Sequence, residues 1–170
     1  MAAMPTPYLL SHRTSGLIAA IAAAIVLGIA IASQRWGGLV PCALCLVERW
    51  PYRIAIVLGL VAALLPTGAS RIALALLALT MLGGTMLGAI HVGVEFHWWP
   101  SPLPECAALV SRGGSAADLL ASMPAFPSKP CDDPTYLIPG LKLSMAEMNF
   151  LFAGLFFVMA GWVAIRKPMS

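Results

Sequence analysis

The hydrophobic pattern of this chain consists of long unbroken runs rather than short alternating or helically periodic stretches. Residues 17–33 carry no charge. A second run extends from Pro51 to Leu65 with Arg53 near its start. A third covers residues 72 to about 94, with His91 as its one titratable group, and a fourth covers residues 148–165. A helix crosses the hydrocarbon core with about 20 apolar residues, in a range of about 17–25. The first, third and fourth runs meet that length. The second meets it if its helix begins near Cys45 or Arg49, and Pro51 allows this because proline is tolerated in a first helical turn. The pattern therefore predicts an all-α, integral membrane four-helix bundle, with residues 1–170 forming one membrane domain. Its helices are expected at about 15–33, 49–65, 71–94 and 146–165, and its outer loops at about 34–48 and 96–144. The first run, with His12 and Arg13 before it and Ala30-Ile31-Ala32 within it, has some features of a signal peptide. It is long for one, and three more hydrophobic segments follow.

Composition strengthens the membrane reading. Apolar residues make up 60% of the 170, and charged residues only 10%, against about 25% in soluble domains. So few charges do not cover a soluble particle of this size. A soluble globular enzyme, a disordered chain and a nucleic-acid binder are excluded. The net charge of +3 is too small and too scattered for a polyanion site.

The charges also predict an orientation. The N-terminus, the turn at residues 66–71 and the C-terminal tail contain Arg13, Arg71, Arg166 and Lys167 and no acid. The other segments balance Arg35, Arg49, Arg112, Lys129 and Lys142 against Glu48, Glu105, Asp118, Asp132 and Asp133. Basic residues accumulate on the cytoplasmic side, so both termini are expected there and both longer loops outside. Trp36, Trp50, Tyr52, Trp98 and Trp99 fall at the expected outer boundary, where amphipathic rings are favoured. Small residues four apart, Gly84 with Gly88 and Ala24 with Gly28, suit close helix packing. The second outer loop is proline-rich, with one short amphipathic helix expected at residues 115–122.

All four cysteines fall on the expected outer side, where disulfides persist. Two disulfides are the simplest reading. Cys42 and Cys45 form a C-x-x-C; wound as a helical turn, it places both sulfurs on one face, within bonding reach. So small a ring adds little stability through chain entropy, which suits a bond that opens and closes. The first turn of a helix favours a thiolate. Arg49, at i+4 from Cys45, would hold negative charge on that sulfur or on a nearby acceptor oxygen. A bridge between Cys106 and Cys131 would tie a mobile flap. Two other readings stay open here: zinc held by the C-x-x-C with Cys106, Cys131 or His97, and two purely structural staples. His91 and Glu95 share a helical face at membrane depth, where ionisable groups suggest function. Either could line a pocket or relay protons, or be a satisfied buried group. Glu48 beside Arg49 reads as a surface ion pair. Arg53 reads as snorkelling to headgroups, and His97 as a loop residue.

The stretch Pro41-Cys42-Ala43-Leu44-Cys45-Leu46-Val47-Glu48-Arg49 resembles the first periplasmic motif of the bacterial DsbB family, the membrane quinone reductases that reoxidise DsbA. His91-Val92-Gly93-Val94-Glu95-Phe96-His97-Trp98-Trp99-Pro100, then Cys106, Cys131-Asp132-Asp133 and Leu143-Ser144-Met145-Ala146, are similar to later segments of that family. The resemblance covers about residues 14–165; Leu141-Lys142-Leu143 has no place in it. It implies a disulfide-generating oxidoreductase of the bacterial inner membrane with ubiquinone or menaquinone as cofactor, a DsbA-like periplasmic thioredoxin-fold partner, and no metal or flavin. It further implies that Cys106–Cys131 oxidises the partner, that Cys131 then exchanges with Cys42, and that the released Cys45 faces the quinone. Arg49 would stabilise the resulting charge, and His91 would contribute to the quinone site. The alternatives are an enzyme similar to vitamin-K-epoxide reductase, and a non-catalytic membrane scaffold with stapled loops.

Overall fold

The computed structural model describes residues 11–106, 129–138 and 140–166, and the helix expected at residues 115–122 lies outside them. Helix α1 spans His12–Arg35. A short α2, Ala43–Val47, is followed across Glu48 by α3, Arg49–Leu64. Helix α4 spans Thr67–Glu95 and α5 Met145–Ile165. The all-α expectation holds, with shifts at the ends of elements. The loop expected at residues 34–48 is partly helical, because the C-x-x-C winds into α2. The expected turn at residues 66–71 shrinks to Leu65 and Pro66. Proline holds the residue before it extended, here with Leu65 at ψ 156°, and the helix restarts at once.

Three helices, α1, α4 and α5, are long and apolar enough to cross a membrane. Helix α3 has 16 residues, about 24 Å of rise, and α2 precedes it across Glu48. The ends are fixed locally. The Ser11 hydroxyl accepts the Thr14 N–H at 3.1 Å and starts α1. Ser144 and Glu147 form a reciprocal capping box that starts α5.

Helix α1 packs with small residues inward and large apolar ones outward, whereas α4 buries Leu74, Leu77 and Met81. On α1, Gly16, Ala19, Ala20 and Ala23 are buried while Leu17, Ile18, Ile21, Ile25 and Ile29 are exposed. A helix in lipid gains nothing by hiding leucine, so close backbone approach decides which face turns inward. A Cβ on Gly59 of α3 would sit 2.7 Å from the Gly16 carbonyl oxygen and 2.8 Å from the Ala20 nitrogen. Gly88 of α4 abuts the Phe150 backbone in the same way, and Gly84 meets Pro51. The expected Ala24–Gly28 contact does not form. Both residues face outward, and nothing lies within 4 Å of a Cβ on Gly28.

Cross-helix contacts set the register. Arg13 reaches the Ala63 carbonyl, Arg71 the Ala164 carbonyl and Arg166 the Ser15 hydroxyl, all at one end. All four cysteines gather at the other. Helices α1 and α3 pair antiparallel, as do α4 and α5. Helices α1 and α5 scarcely touch, and the gap between them holds two apolar cavities that share Phe152 and Leu155 in their walls.

The glycine contacts give a stability test. Gly59→Ala is expected to destabilise the detergent-solubilised protein by about 1–3 kcal/mol, because backbone opposes the new methyl. Gly28→Ala should stay within about 0.5 kcal/mol of the parent. Thermal unfolding of both variants checks the contrast.

Candidate functional site

The turn that carries the C-x-x-C is built by its own first cysteine. Cys42 occupies the N-cap of α2, and its sulfur accepts the Cys45 N–H at 3.2 Å. The two sulfurs then lie 2.8 Å apart in a hydrogen bond, within a small movement of disulfide closure. Cys42 is fully buried, whereas Cys45 is partly open. Their thiols differ accordingly. The hydrogen bond with Cys45 draws the Cys42 thiol below its usual range, helped by the Cys45 N–H and by Lys129, against burial and the charge of Glu48. The same hydrogen bond and burial push Cys45 upward. In the dithiol state Cys42 is therefore the sulfur that carries charge most readily.

Cys45 faces the larger of the two cavities between α1 and α5, about 440 Å³ in volume. The wall is mostly aliphatic and aromatic, with Glu48, Arg49, Tyr52 and Asn149 as its polar groups beside Cys45. Arg49 is fixed from α1: its Nη1 donates to Gln34 Oε1 at 2.8 Å, and its Nη2 to the Ala30 carbonyl at 3.4 Å. The Tyr52 hydroxyl donates to Asn149 Oδ1 across α3 and α5. Asn149 Nδ2 is buried with no hydrogen-bond partner among the described residues. An apolar slot with a sulfur, a guanidinium and a spare amide donor at one end suits a flat apolar ring bearing carbonyl oxygens.

His91 does not line this cavity. It reaches the thiols from α4, on the far side, and is fully buried. Its Nε2 lies 3.4 Å from Cys42 Sγ, and its Nδ1 lies 3.0 Å from Glu48 Oε1. Glu48 is buried against His91 in this hydrogen bond, so the expected surface pairing with Arg49 does not occur. The break between α2 and α3 turns Glu48 inward, and Arg49 finds α1 instead. Glu95 does not join His91 in a relay. It accepts a hydrogen bond from the Ser144 hydroxyl, which joins the end of α4 to the start of α5. Arg53 is exposed and stacks 4.9 Å over Trp50. His97 is an exposed loop residue 3.6 Å from Asp132.

Cys106 and Cys131 form a disulfide. They are not held out in water as a flap. They are 3% and 1% exposed and share one apolar cluster with Cys42, Leu44 and Val94. Disulfide sulfurs are apolar, and packing them on the first pair removes surface from water. Nearby, the Trp99 ring packs against Gly93, where any Cβ would clash, and its indole N–H donates to the Ile90 carbonyl at 3.0 Å. This contact anchors the chain between α4 and Cys106. The cysteine partners weighed for a zinc site are thus bonded to each other. The donor group that forms instead is Cys42, Cys45 and His91, with ligand atoms within 4.8 Å of one another.

Glu48, Tyr52, Asn149 and Gln34 were not singled out for the site by sequence reasoning. A polar Asn149 in an otherwise apolar run was the one signal that could have found its residue. A family model described as "Disulfide bond formation protein DsbB" matches residues 12–163. No curated protein and no solved structure matches the chain.

Burial of the second pair makes its reactivity depend on the cluster around it. Non-reducing peptide mapping should return the Cys106–Cys131 link. Val94→Ala, which opens the cluster, should make that bond faster to reduce by a small thiol. A maleimide gel shift follows the rate, and an unchanged rate would refute shielding by the cluster.

Proposed function

The chain belongs to the DsbB family, a disulfide-forming membrane oxidoreductase by kinship, and from that premise we propose that it oxidises a DsbA-like periplasmic dithiol protein and passes the electrons to ubiquinone or menaquinone. The observation that carries this reading is the meeting of Cys45 and Arg49 at one end of an apolar cavity open between two lipid-facing helices. The membrane is the bacterial inner membrane, with both termini cytoplasmic and the cysteines periplasmic. The three arginine contacts at the end opposite the cysteines support that orientation. Residues 1–170 act as one domain.

The chain's own residues account for the sequence of exchanges. A partner thiolate attacks Cys106, and the Cys131 thiolate leaves. Exchange needs a thiolate in line with a disulfide sulfur, and the shared cluster brings Cys131 beside Cys42. Attack of Cys131 on a Cys42–Cys45 disulfide joins the two loops and frees Cys45. With Cys42 held in a disulfide, the charge that favoured it in the dithiol passes to Cys45, at the cavity wall. Arg49, clamped by Gln34 and Ala30, offers that sulfur a fixed positive charge. Asn149 Nδ2 supplies a donor for a carbonyl oxygen. When bound, a quinone supplies a two-electron, two-proton acceptor strong enough to drive the exchanges.

The test uses purified protein with a short-chain ubiquinone and a reduced thioredoxin-fold oxidase. Cys45→Ser should abolish quinone reduction. Cys106→Ser should abolish oxidation of the partner yet leave quinone reduction by a small dithiol, which reaches Cys42–Cys45 directly. Arg49→Ala should lower kcat/KM for quinone about tenfold, about 1.4 kcal/mol, while the mixed disulfide with the partner forms at the parental rate. Full quinone reduction by Cys45→Ser would end the proposal.

A further inference from the structure

The chain Glu48 Oε1, His91 Nδ1, His91 Nε2, Cys42 Sγ has the order of a carboxylate–imidazole–thiol relay. A carboxylate only accepts hydrogen bonds, so Glu48 fixes the proton of a neutral imidazole on Nδ1 and leaves a lone pair on Nε2. That lone pair faces the sulfur. All three groups are buried, and nothing in the cavity wall duplicates the arrangement. We infer that His91 is the base that takes the proton of Cys42, and that Glu48 is the residue that positions it.

The inference rests on the quinone reading for its electron balance. When the dithiol is oxidised, Cys42 and Cys45 lose two electrons and two protons, and a quinone gains the same to become a quinol. One S–S bond forms and two S–H bonds break. The Cys45 proton is released at the cavity. The Cys42 sulfur faces away from the cavity, so its proton leaves through His91 Nε2, and the thiolate left behind closes the bond to Cys45. The electron pair passes to the quinone at Cys45, and the imidazolium's proton reaches the cavity through Glu48, which accepts from His91 Nδ1 and lines the cavity wall. Glu48 offsets the positive charge while it lasts.

Other charges bear on this sulfur and ring. Cys45 from α2, Lys129 from the segment before Cys131, and Glu95 one turn along α4 act with Glu48 on the pair. Lys129 favours the Cys42 thiolate, and the direct field of Glu48 opposes it. A variant of Glu48 therefore mixes two effects on the thiol, and a variant of His91 is the cleaner probe.

The experiment uses the full chain carrying Cys106→Ser and Cys131→Ser, so that Cys42 and Cys45 are the only thiols. Ultraviolet thiolate absorbance of the reduced protein is followed against pH. His91→Gln should move the thiolate midpoint up by about one unit or more, a loss of about tenfold in thiolate at neutral pH. With all four cysteines present, quinone reduction by His91→Gln should fall at neutral pH and recover as pH rises. Nitrogen NMR of histidine-labelled protein should place the neutral ring's proton of His91 on Nδ1, and Glu48→Ala should remove that preference. An unmoved midpoint, a rate lowered equally at every pH, or a proton on Nε2 would overturn the inference. If the midpoint moves as expected but the parent protein does not reduce quinone, the base assignment stands and the quinone reading falls. If quinone is reduced and the midpoint is fixed, the base assignment alone falls.

Discussion

A carboxylate withdrawn from water must find a partner, and Glu48 finds one in His91. Much of the cysteine-bearing end depends on this pairing. It spans the junction of α2 and α3 on one side and α4 on the other, so it fixes where the C-x-x-C turn stands above the bundle. It turns the imidazole so that one nitrogen meets Cys42. It leaves Arg49, the next residue, free to reach across to α1. A buried carboxylate is weak evidence for stability, because its desolvation consumes most of what its hydrogen bond to the imidazole gains. The value of this one lies in geometry: breaking it would unseat a sulfur, an imidazole and a guanidinium together.

Beneath that end, the bundle combines close helix approach at small residues with a buried core of Tyr52, Leu77, Met81 and Phe156. Glycine and alanine line the α1–α3 seam, and Gly88 lets α4 lie on the Phe150 backbone. The large apolar side chains of α1, among them Ile18, Ile21, Ile25 and Ile29, turn outward to the lipid. This arrangement closes every neighbouring pair of helices except α1 and α5. The gap left there holds the apolar cavity whose wall includes Cys45.

The apolar runs were long enough to reveal the helices, because spanning a bilayer imposes a length that few other structures need. The four cysteines and Arg49 stood out for a related reason, as rare residue types at telling spacings in an apolar chain. Glu48 was misread because sequence proximity to Arg49 suggested a pair, whereas the break between α2 and α3 sends the two side chains in different directions. Tyr52 and Asn149 meet only through the packing of α3 on α5, and no local pattern carries that contact. Gly28 looked like a packing residue because its spacing from Ala24 was right; spacing does not say which face of an all-apolar helix turns inward. The burial of Cys106 and Cys131 was hidden because loop composition records polarity, not where the loop folds back.

The slot beside Cys45 lies between two helices whose outer faces are built for hydrocarbon. Anything that fits it arrives by sideways diffusion within the bilayer, not from solution. Its occupancy therefore follows the mole fraction of that molecule in the membrane. Added detergent lowers that fraction and with it the apparent affinity, while the protein itself is unchanged.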